Sequence, residues 1–184
     1  MKKILFALIL LGLILVERLI FDLGPNVELI TASSFIAAAY LGYPFYLLVP
    51  FLGMVFSDTL LGNTNIIYFT WSAYLVSGLL AYSFNRQAKR TSKRFLFTLP
   101  FAFTSSLFFF LWTNFGVWLQ GWYPQNLSGL ITCYTMAIPF LKYNLFGNLL
   151  LVPASVVAVE AVKALAKTRH FSIQEVQTQV GRKM

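Results

Sequence analysis

Charged residues are scarce in this chain of 184 residues: they make up 11% of it, while hydrophobic residues make up 58%. Soluble domains carry roughly 25% charged residues, so this chain cannot cover a globular surface with solvated side chains. Apolar runs near the roughly 20 residues of a membrane-spanning helix recur along the sequence. The composition therefore predicts an all-α integral membrane protein, with one membrane domain at residues 1–166 and a polar cytosolic tail at residues 167–184.

Cysteine and histidine occur once each, as Cys133 and His170. A single cysteine excludes an intrachain disulfide, and the pair cannot supply a zinc site from nitrogen and sulfur ligands. Cys133 lies in an apolar helical context, which favours inert packing over reactivity. The chain also lacks GxxxxGK[ST], HExxH, CxxC and GxSxG motifs, so it has no phosphate-binding loop and no recognisable catalytic motif. We predict a protein that is not an enzyme and uses no cofactor.

Turn residues divide the apolar sequence into about six predicted spans. Their expected limits are 4–16 (extending to 21), 29–43, 45–61, 66–84, 95–112 and 145–165. One further apolar segment, Ser128–Phe140, has only thirteen residues and is expected to end at Pro139. A stretch of roughly 10–14 apolar residues is more typical of a re-entrant or interfacial helix than of a crossing. We therefore predict such a short helix before the last span.

Positive charge is concentrated in three places, and the net charge is +8. All lysines and arginines except Arg18 and Lys142 lie in Lys2-Lys3, in the segment 86–94 or in the segment 163–183. Six crossings with a cytoplasmic N-terminus put all three clusters in the cytoplasm, as the positive-inside tendency requires. A seventh crossing would move the basic tail outside. The charges predict a multi-pass protein of the cell membrane with both termini cytoplasmic, and they indicate no nucleic-acid partner.

Asp58, in the stretch FLGMVFSDTLLG, is the acidic residue inside or near the end of a predicted span. An ionisable side chain at membrane depth is expensive and is therefore a functional candidate by default. It could contact a ligand or form an ion pair with Arg18 inside the helix bundle. Alternatively, it lies at the outer interface and is hydrogen-bonded to Thr59 or Asn63. The sequence leaves these alternatives open.

Polar and aromatic residues are expected together on the outer side, near the end of span five and the start of the last span. Aromatic walls with a few convergent amides are what a small-molecule pocket needs. Tryptophan and tyrosine also form belts at membrane interfaces, so the composition alone leaves pocket and belt open. The residues predicted to bind a substrate, if the pocket exists, are Asp58, Asn114, Trp118, Tyr123, Tyr134 and Asn148.

Small residues repeat at four-residue spacing in span two, where Ser33 precedes Ala37 and Ser34 precedes Ala38. Such a face lets helices approach closely inside a membrane. We predict that it is a packing face within the protein.

The stretch TNFGVWLQGWYPQNLSGLITCYTMAIPFLKYNLFGNLL, together with the earlier FSDTLLG, resembles a family of uncharacterised bacterial membrane proteins. That family is similar to the substrate-binding S components of energy-coupling-factor (ECF) vitamin transporters. The resemblance runs from about Arg18 to the end of the last span. It implies a bundle of six helices that captures a small solute from outside, while a transmembrane coupling protein and ATPase subunits are separate chains.

The leading hypothesis is therefore an S-component-like membrane subunit. It would bind a vitamin- or nucleobase-like solute from outside for uptake powered by separate ATPase subunits. The alternative is a non-transporting membrane scaffold whose basic cytosolic loop, residues 86–94, binds anionic lipid or another protein. A third hypothesis is a lipid-modifying enzyme that uses Asp58.

Overall fold

A computed structural model describes residues 2–21, 23–62, 65–88 and 91–181, and every regular element in these ranges is helical. The helices are α1 (Lys2–Val16), α2 (Leu29–Ile36), α3 (Phe45–Leu61), α4 (Ile67–Gln87), α5 (Thr91–Leu119) and α6 (Leu127–Gly181). Helices α1 and α2 each continue into a π-helical turn, Glu17–Phe21 and Ala37–Leu41 respectively. The predicted all-α class is confirmed for this part of the chain.

Among the described residues, three helical segments are long and apolar enough to cross a membrane: Lys2–Phe21, Lys93–Leu119 and Leu127–Thr168. The apolar segments Leu29–Leu41 and Phe45–Leu61 are shorter than that. Large apolar side chains are exposed along α1, α5 and α6. An apolar surface of this extent is typical of a protein covered by lipid or a partner. These features agree with a membrane protein. Six spans were predicted, and three of the described helices have the length and apolar character to cross a membrane.

The segment Ser128–Phe140 is not a separate short helix. It forms the first turns of α6, which runs without interruption from Leu127 to Gly181 and contains both Pro139 and Pro153. Proline removes one helical hydrogen bond, but α6 is hydrogen-bonded to α5 on both sides of Pro139, before it from Tyr134 to Leu111 and after it from Asn148 to Ser106. The prediction of a break at Pro139 is therefore wrong. Helix α6 also continues into the predicted tail, of which residues 182–184 lie outside the described residues.

Helix α5 extends two turns beyond its predicted end at Trp112. Thr113 and Asn114 remain helical, and their side chains donate to the carbonyls of Phe109 and Phe110 at 2.8 and 2.7 Å. The chain turns only at Gly121, whose φ of 80° lies in the left-handed region that glycine adopts without strain. The stretch TNFGVWL is therefore the end of a helix rather than a loop.

Helix α2, with its π-helical turn, lies in the centre of the bundle and packs against all five other helices. Ser34 and Ala37 are completely buried, and Ser33 is 5% exposed. Their small side chains let the neighbouring helices approach the α2 backbone. The predicted packing face in this helix is confirmed as an intramolecular one.

Basic side chains meet at one end of the bundle, which we call the basic end. Lys3 donates to the carbonyl of Leu41 at 3.0 Å, and the cations of Arg94 and Lys163 lie 5.1 and 5.0 Å from the centre of the Tyr40 ring. Cations near the C-terminal end of a helix interact favourably with its dipole. Members of all three predicted clusters thus share one end, while Lys89, Arg90, Arg182 and Lys183 lie outside the described residues.

Candidate functional site

An ionic network lies at the opposite end of the bundle, which we call the ionic end. Arg18 donates through Nη1 to Glu28 Oε1 at 2.5 Å and through Nη2 to Asp58 Oδ1 at 2.9 Å. Trp71 Nε1 donates to Asp58 Oδ2 at 2.7 Å, and the Tyr74 hydroxyl donates to Glu28 Oε2 at 2.5 Å. Each carboxylate therefore receives one bond from Arg18 and one from α4. The ion pair between Asp58 and Arg18, one of the alternatives that the sequence left open, is confirmed.

Thr59 and Asn63 were the other predicted partners of Asp58. Thr59 donates its hydroxyl to the carbonyl of Val55, one helical turn earlier. Asn63 lies outside the described residues. Asp58 is only 6% exposed, so it belongs to the interior of the bundle rather than to its rim.

The segment 23–28 connects α1 to α2 across the ionic end. Its backbone turns at Gly24 and Asn26, whose φ angles are 116° and 58°. Glycine and asparagine adopt such positive φ angles more readily than other residues do. Glu17 supports the start of α2, because its Oε2 accepts a hydrogen bond from the Leu29 amide at 3.1 Å. A carboxylate at the N-terminal end of a helix also interacts favourably with the helix dipole.

The segment 23–28 is held against α6 by two contacts. Asn144 Nδ2 donates to the carbonyl of Asn26 at 2.9 Å. Val27 packs directly on Gly147, where an added Cβ would lie 2.8 Å from Val27 Cγ1. Any side chain larger than hydrogen at position 147 would therefore push against the segment.

A cavity of about 180 Å³, which we call the amide cavity, lies between α4, α5, α6 and the segment 23–28. Phe109, Phe110 and Phe140 supply its aromatic wall. The remaining polar groups are amides and hydroxyls, and none of the described residues that line it is ionisable. These polar residues are Asn26, Thr70, Ser106, Thr113, Asn114 and Asn144.

A second cavity of about 180 Å³ adjoins the first and shares Asn26, Thr70 and Phe109 with it. We call it the ionic cavity, because its wall carries the charged residues Arg18, Glu28 and Asp58. A third cavity of about 310 Å³ lies beside the segment 23–28 and is also lined by Glu17, Arg18 and Glu28. The ionic end therefore contains neighbouring cavities, one with neutral walls and two with charged residues in their walls.

Asn148 lies behind the wall of the amide cavity and is 3% exposed. Its Nδ2 donates to Ser106 Oγ at 2.9 Å and to Asn144 Oδ1 at 3.1 Å. Because the Asn26 carbonyl can only accept, Asn144 must direct its nitrogen to Asn26 and its oxygen to Asn148. Asn148 thus fixes the orientation of two groups that face the cavity.

The structure brings three of the six predicted site residues together at the ionic end. Asn114 lines the amide cavity and Asp58 lines the ionic cavity. Asn148 contacts the amide cavity only through Ser106 and Asn144. These three residues come from α5, α3 and α6, which the sequence could not place relative to one another.

The other three predicted residues make contacts within and between α5, α6 and the turn that joins them. Trp118 Nε1 donates to the carbonyl of Pro124 at 3.0 Å, which ties the end of α5 to the following turn. The carbonyl of Tyr123 accepts a bond from Gln125 at 3.4 Å in the same turn. The Tyr134 hydroxyl donates to the carbonyl of Leu111 at 2.7 Å and joins α6 to α5. Their side chains line neither the amide cavity, nor the ionic cavity, nor the cavity beside the segment 23–28.

Sequence reasoning did not select Asn26, Thr70, Ser106 or Glu28 as site residues. Asn26 lies between the first two predicted spans, and the two hydroxyl residues lie within predicted spans. Ser106 and Thr113 are seven residues apart, a spacing that places both on one face of α5. This repeat of polar residues, one inside the predicted span 95–112 and one directly after it, is the sequence signal that could have identified that wall.

Comparison with known proteins gives a family but no function. A family model described as "Family of unknown function (DUF6580)" matches residues 1–171. No curated protein and no solved structure matches the chain. The predicted membership in an uncharacterised family is confirmed, and the comparisons show no link to S components.

Proposed function

This chain belongs to the family of unknown function DUF6580, and we propose that it is a membrane subunit that binds a small solute in the amide cavity. The solute would be vitamin- or nucleobase-like and would be captured from outside. Uptake would be powered by separate ATPase subunits through a transmembrane coupling protein, as for an S component. The single observation that carries this proposal is a cavity with aromatic and neutral polar walls inside a helix bundle.

The lining of the amide cavity supports a small organic solute. Ligand sites combine apolar and aromatic area, which supplies affinity, with a few directed polar groups, which supply selection. Phe109 and Phe110 supply the aromatic area, and Asn114 and Asn144 supply the directed polar groups. Ligand pockets commonly measure about 300–1,000 Å³. The amide cavity, at about 180 Å³, therefore suits a solute of one or two rings.

The charge distribution supports access from outside. Lys3, Arg94 and Lys163 lie at the basic end, whereas the cavities lie at the ionic end. Basic clusters tend to remain in the cytoplasm. We therefore propose a multi-pass orientation with both termini cytoplasmic and the cavities towards the outer surface.

A thermal screen of the full chain purified in detergent tests this function. A solute that binds the native state should raise the unfolding midpoint, by a stabilisation of about 2.7 kcal/mol at 100 times its Kd. The panel should contain vitamins and nucleobases. At least one compound is expected to raise the midpoint, and a panel without any such compound would contradict the proposal and favour the scaffold alternative.

Two asparagine variants test whether the stabilising solute binds in the amide cavity. Asn114 Nδ2 donates to the carbonyl of Phe110 at 2.7 Å, and Asn85 Nδ2 makes the same type of bond to Ala81 at 2.8 Å. Only Asn114 lines the amide cavity. Asn114→Leu should abolish the response to the solute, whereas Asn85→Leu should keep it. Equal responses from the two variants would place the solute elsewhere.

A further inference from the structure

Two hydroxyl groups in the amide cavity have already used their hydrogens. Thr70 Oγ1 donates to the carbonyl of Ile67 at 3.0 Å, and Thr113 Oγ1 donates to the carbonyl of Phe109 at 2.8 Å. A hydroxyl has a single hydrogen, so one that donates to its own helix retains only lone pairs. Towards a solute in the cavity, both threonines are therefore hydrogen-bond acceptors.

Asn114 has a fixed orientation for the same reason. Its Nδ2 donates to the carbonyl of Phe110 at 2.7 Å. A backbone carbonyl can only accept, so the nitrogen must face the helix backbone. The amide oxygen, on the other branch of the side chain, is then a third acceptor that is available to a solute, and Nδ2 keeps its second hydrogen as a donor.

The α6 side of the cavity keeps two donors. Asn144 Nδ2 donates one hydrogen to the carbonyl of Asn26 at 2.9 Å and retains the other, while its Oδ1 accepts from Asn148. Ser106 Oγ also accepts from Asn148, at 2.9 Å, so the Ser106 hydroxyl hydrogen is the second donor of this wall. The groups of the cavity that can only accept are therefore the two threonine hydroxyls, on α4 and α5.

We infer that the solute of the amide cavity is an uncharged planar compound that presents hydrogen-bond donors, such as an exocyclic amine on a heteroaromatic ring. This inference rests on the proposed solute-binding function and specifies its substrate class. An N–H group pairs with the lone pairs of Thr70, Thr113 and Asn114. A group without hydrogens at that place would leave buried acceptors unpaired, which disfavours binding by about 10-fold for each lost bond.

Matched pairs of probes test the donor requirement in the purified full chain. Adenine and 6-methylpurine share a ring system and differ in an amine against a methyl group of similar size. The same is true of 4-aminopyrimidine and 4-methylpyrimidine. The amine member of at least one pair is expected to bind about 10-fold more tightly than its partner, as measured by isothermal titration.

A threonine variant tests whether the cavity is the source of this preference. Thr113→Val keeps the shape of the side chain but removes its lone pairs, and it should lower the affinity for the amine compound about 10-fold while leaving that for the methyl compound unchanged. Thr135→Val is the matched control, because Thr135 makes the same 2.8 Å bond to its own helix on the exposed side of α6. Midpoints without solute show that both variants are folded.

The outcomes separate this inference from the function on which it rests. Equal or tighter binding of the methyl compounds, or an unchanged preference in Thr113→Val, would overturn the donor requirement. Absence of binding by all four probes, while other solutes of the thermal screen bind, would overturn the donor requirement and leave the solute site intact. Absence of binding by every solute would overturn both.

Discussion

The two ends of the bundle both use ion pairs, but in different surroundings. At the ionic end, the side chains of Arg18 and Asp58 are 12% and 4% exposed. At the basic end, those of Lys163 and Glu160 are 54% and 30% exposed. The first pair joins α1 to α3 inside the protein and lines a cavity, whereas the second connects neighbouring turns of α6 near the surface.

This difference predicts different energetic roles. Removing one partner of a buried pair leaves a charge that neither water nor protein compensates, and typically costs about 3–5 kcal/mol. An exposed pair contributes about 0–1 kcal/mol, because water solvates either partner alone. The ionic end should therefore be sensitive to single substitutions, and the basic end tolerant of them.

Arg18→Met should have the largest effect. It keeps the apolar stem of the side chain but leaves Glu28 and Asp58 without their common cation, so we expect a loss of about 3–5 kcal/mol. The unfolding midpoint in detergent should fall by roughly 6–20 °C. Lys163→Met at the basic end is the control and should lower the midpoint by only a few degrees. Equal falls of the midpoint in the two variants would show that the two ends do not differ in their sensitivity to the loss of a charge.

Gly147→Ala should have an intermediate effect. The new Cβ would lie 2.8 Å from Val27 Cγ1 and would push the segment 23–28 away from α6, at a cost of about 1–3 kcal/mol. Gly12→Ala is the control, because a Cβ at Gly12 has nothing within 4 Å, and it should be neutral or stabilise α1 by up to about 1 kcal/mol. Thermal midpoints measure both changes.

A second substitution sharpens the prediction at Gly147. If the steric contact causes the loss, Val27→Ala should recover most of the stability in the Gly147→Ala background, although it weakens the parent protein. A double-mutant cycle on the midpoints measures this coupling. Additive losses would show that the segment 23–28 does not rest on Gly147.

Glu160→Gln should have the smallest effect. It removes the 2.9 Å ion pair with Lys163, whereas an amide oxygen can still accept the bond that the Tyr40 hydroxyl donates. We expect a change of about 0–1 kcal/mol that shrinks further at high salt, because exposed charges are screened. Midpoints at low and high ionic strength test this, and a loss of several kcal/mol would show that the basic end is as sensitive as the ionic end.

The sequence predicted the features that depend on neighbouring residues. The apolar runs gave α3 with its observed limits, Phe45–Leu61. For the other helices, the limits predicted from the apolar runs differ from the observed limits. Glu160 and Lys163 are three residues apart on one helix, a spacing that by itself favours a pair, and the pair is present at 2.9 Å. Pro139 was misinterpreted, because a rule about isolated helices neglects the packing that supports α6.

The candidate site was less predictable because its residues meet through packing of distant segments. Asn26 and Asn144 are 118 positions apart, and the bond between them exists only because the segment 23–28 lies against α6. The ion pair between Asp58 and Arg18 was one of the alternatives that the sequence left open, since a buried charge requires a partner, and it is present at 2.9 Å. Its further partner Trp71 comes from α4, whose register relative to α3 the sequence does not specify.

Thiol labelling in intact cells tests the central claim, that the ionic end holds a cavity that is open to the outside. Thr113 and Thr98 both lie on α5, are 7% and 0% exposed, and donate their hydroxyls to their own helix. Only Thr113 lines the amide cavity. The two cysteine variants are made in a Cys133→Ala background, and a membrane-impermeant thiol reagent is added outside.

We predict that the reagent labels Thr113→Cys but not Thr98→Cys, and that a solute identified in the thermal screen slows the labelling. Labelling of Thr113→Cys only after the cells have been opened would contradict the account.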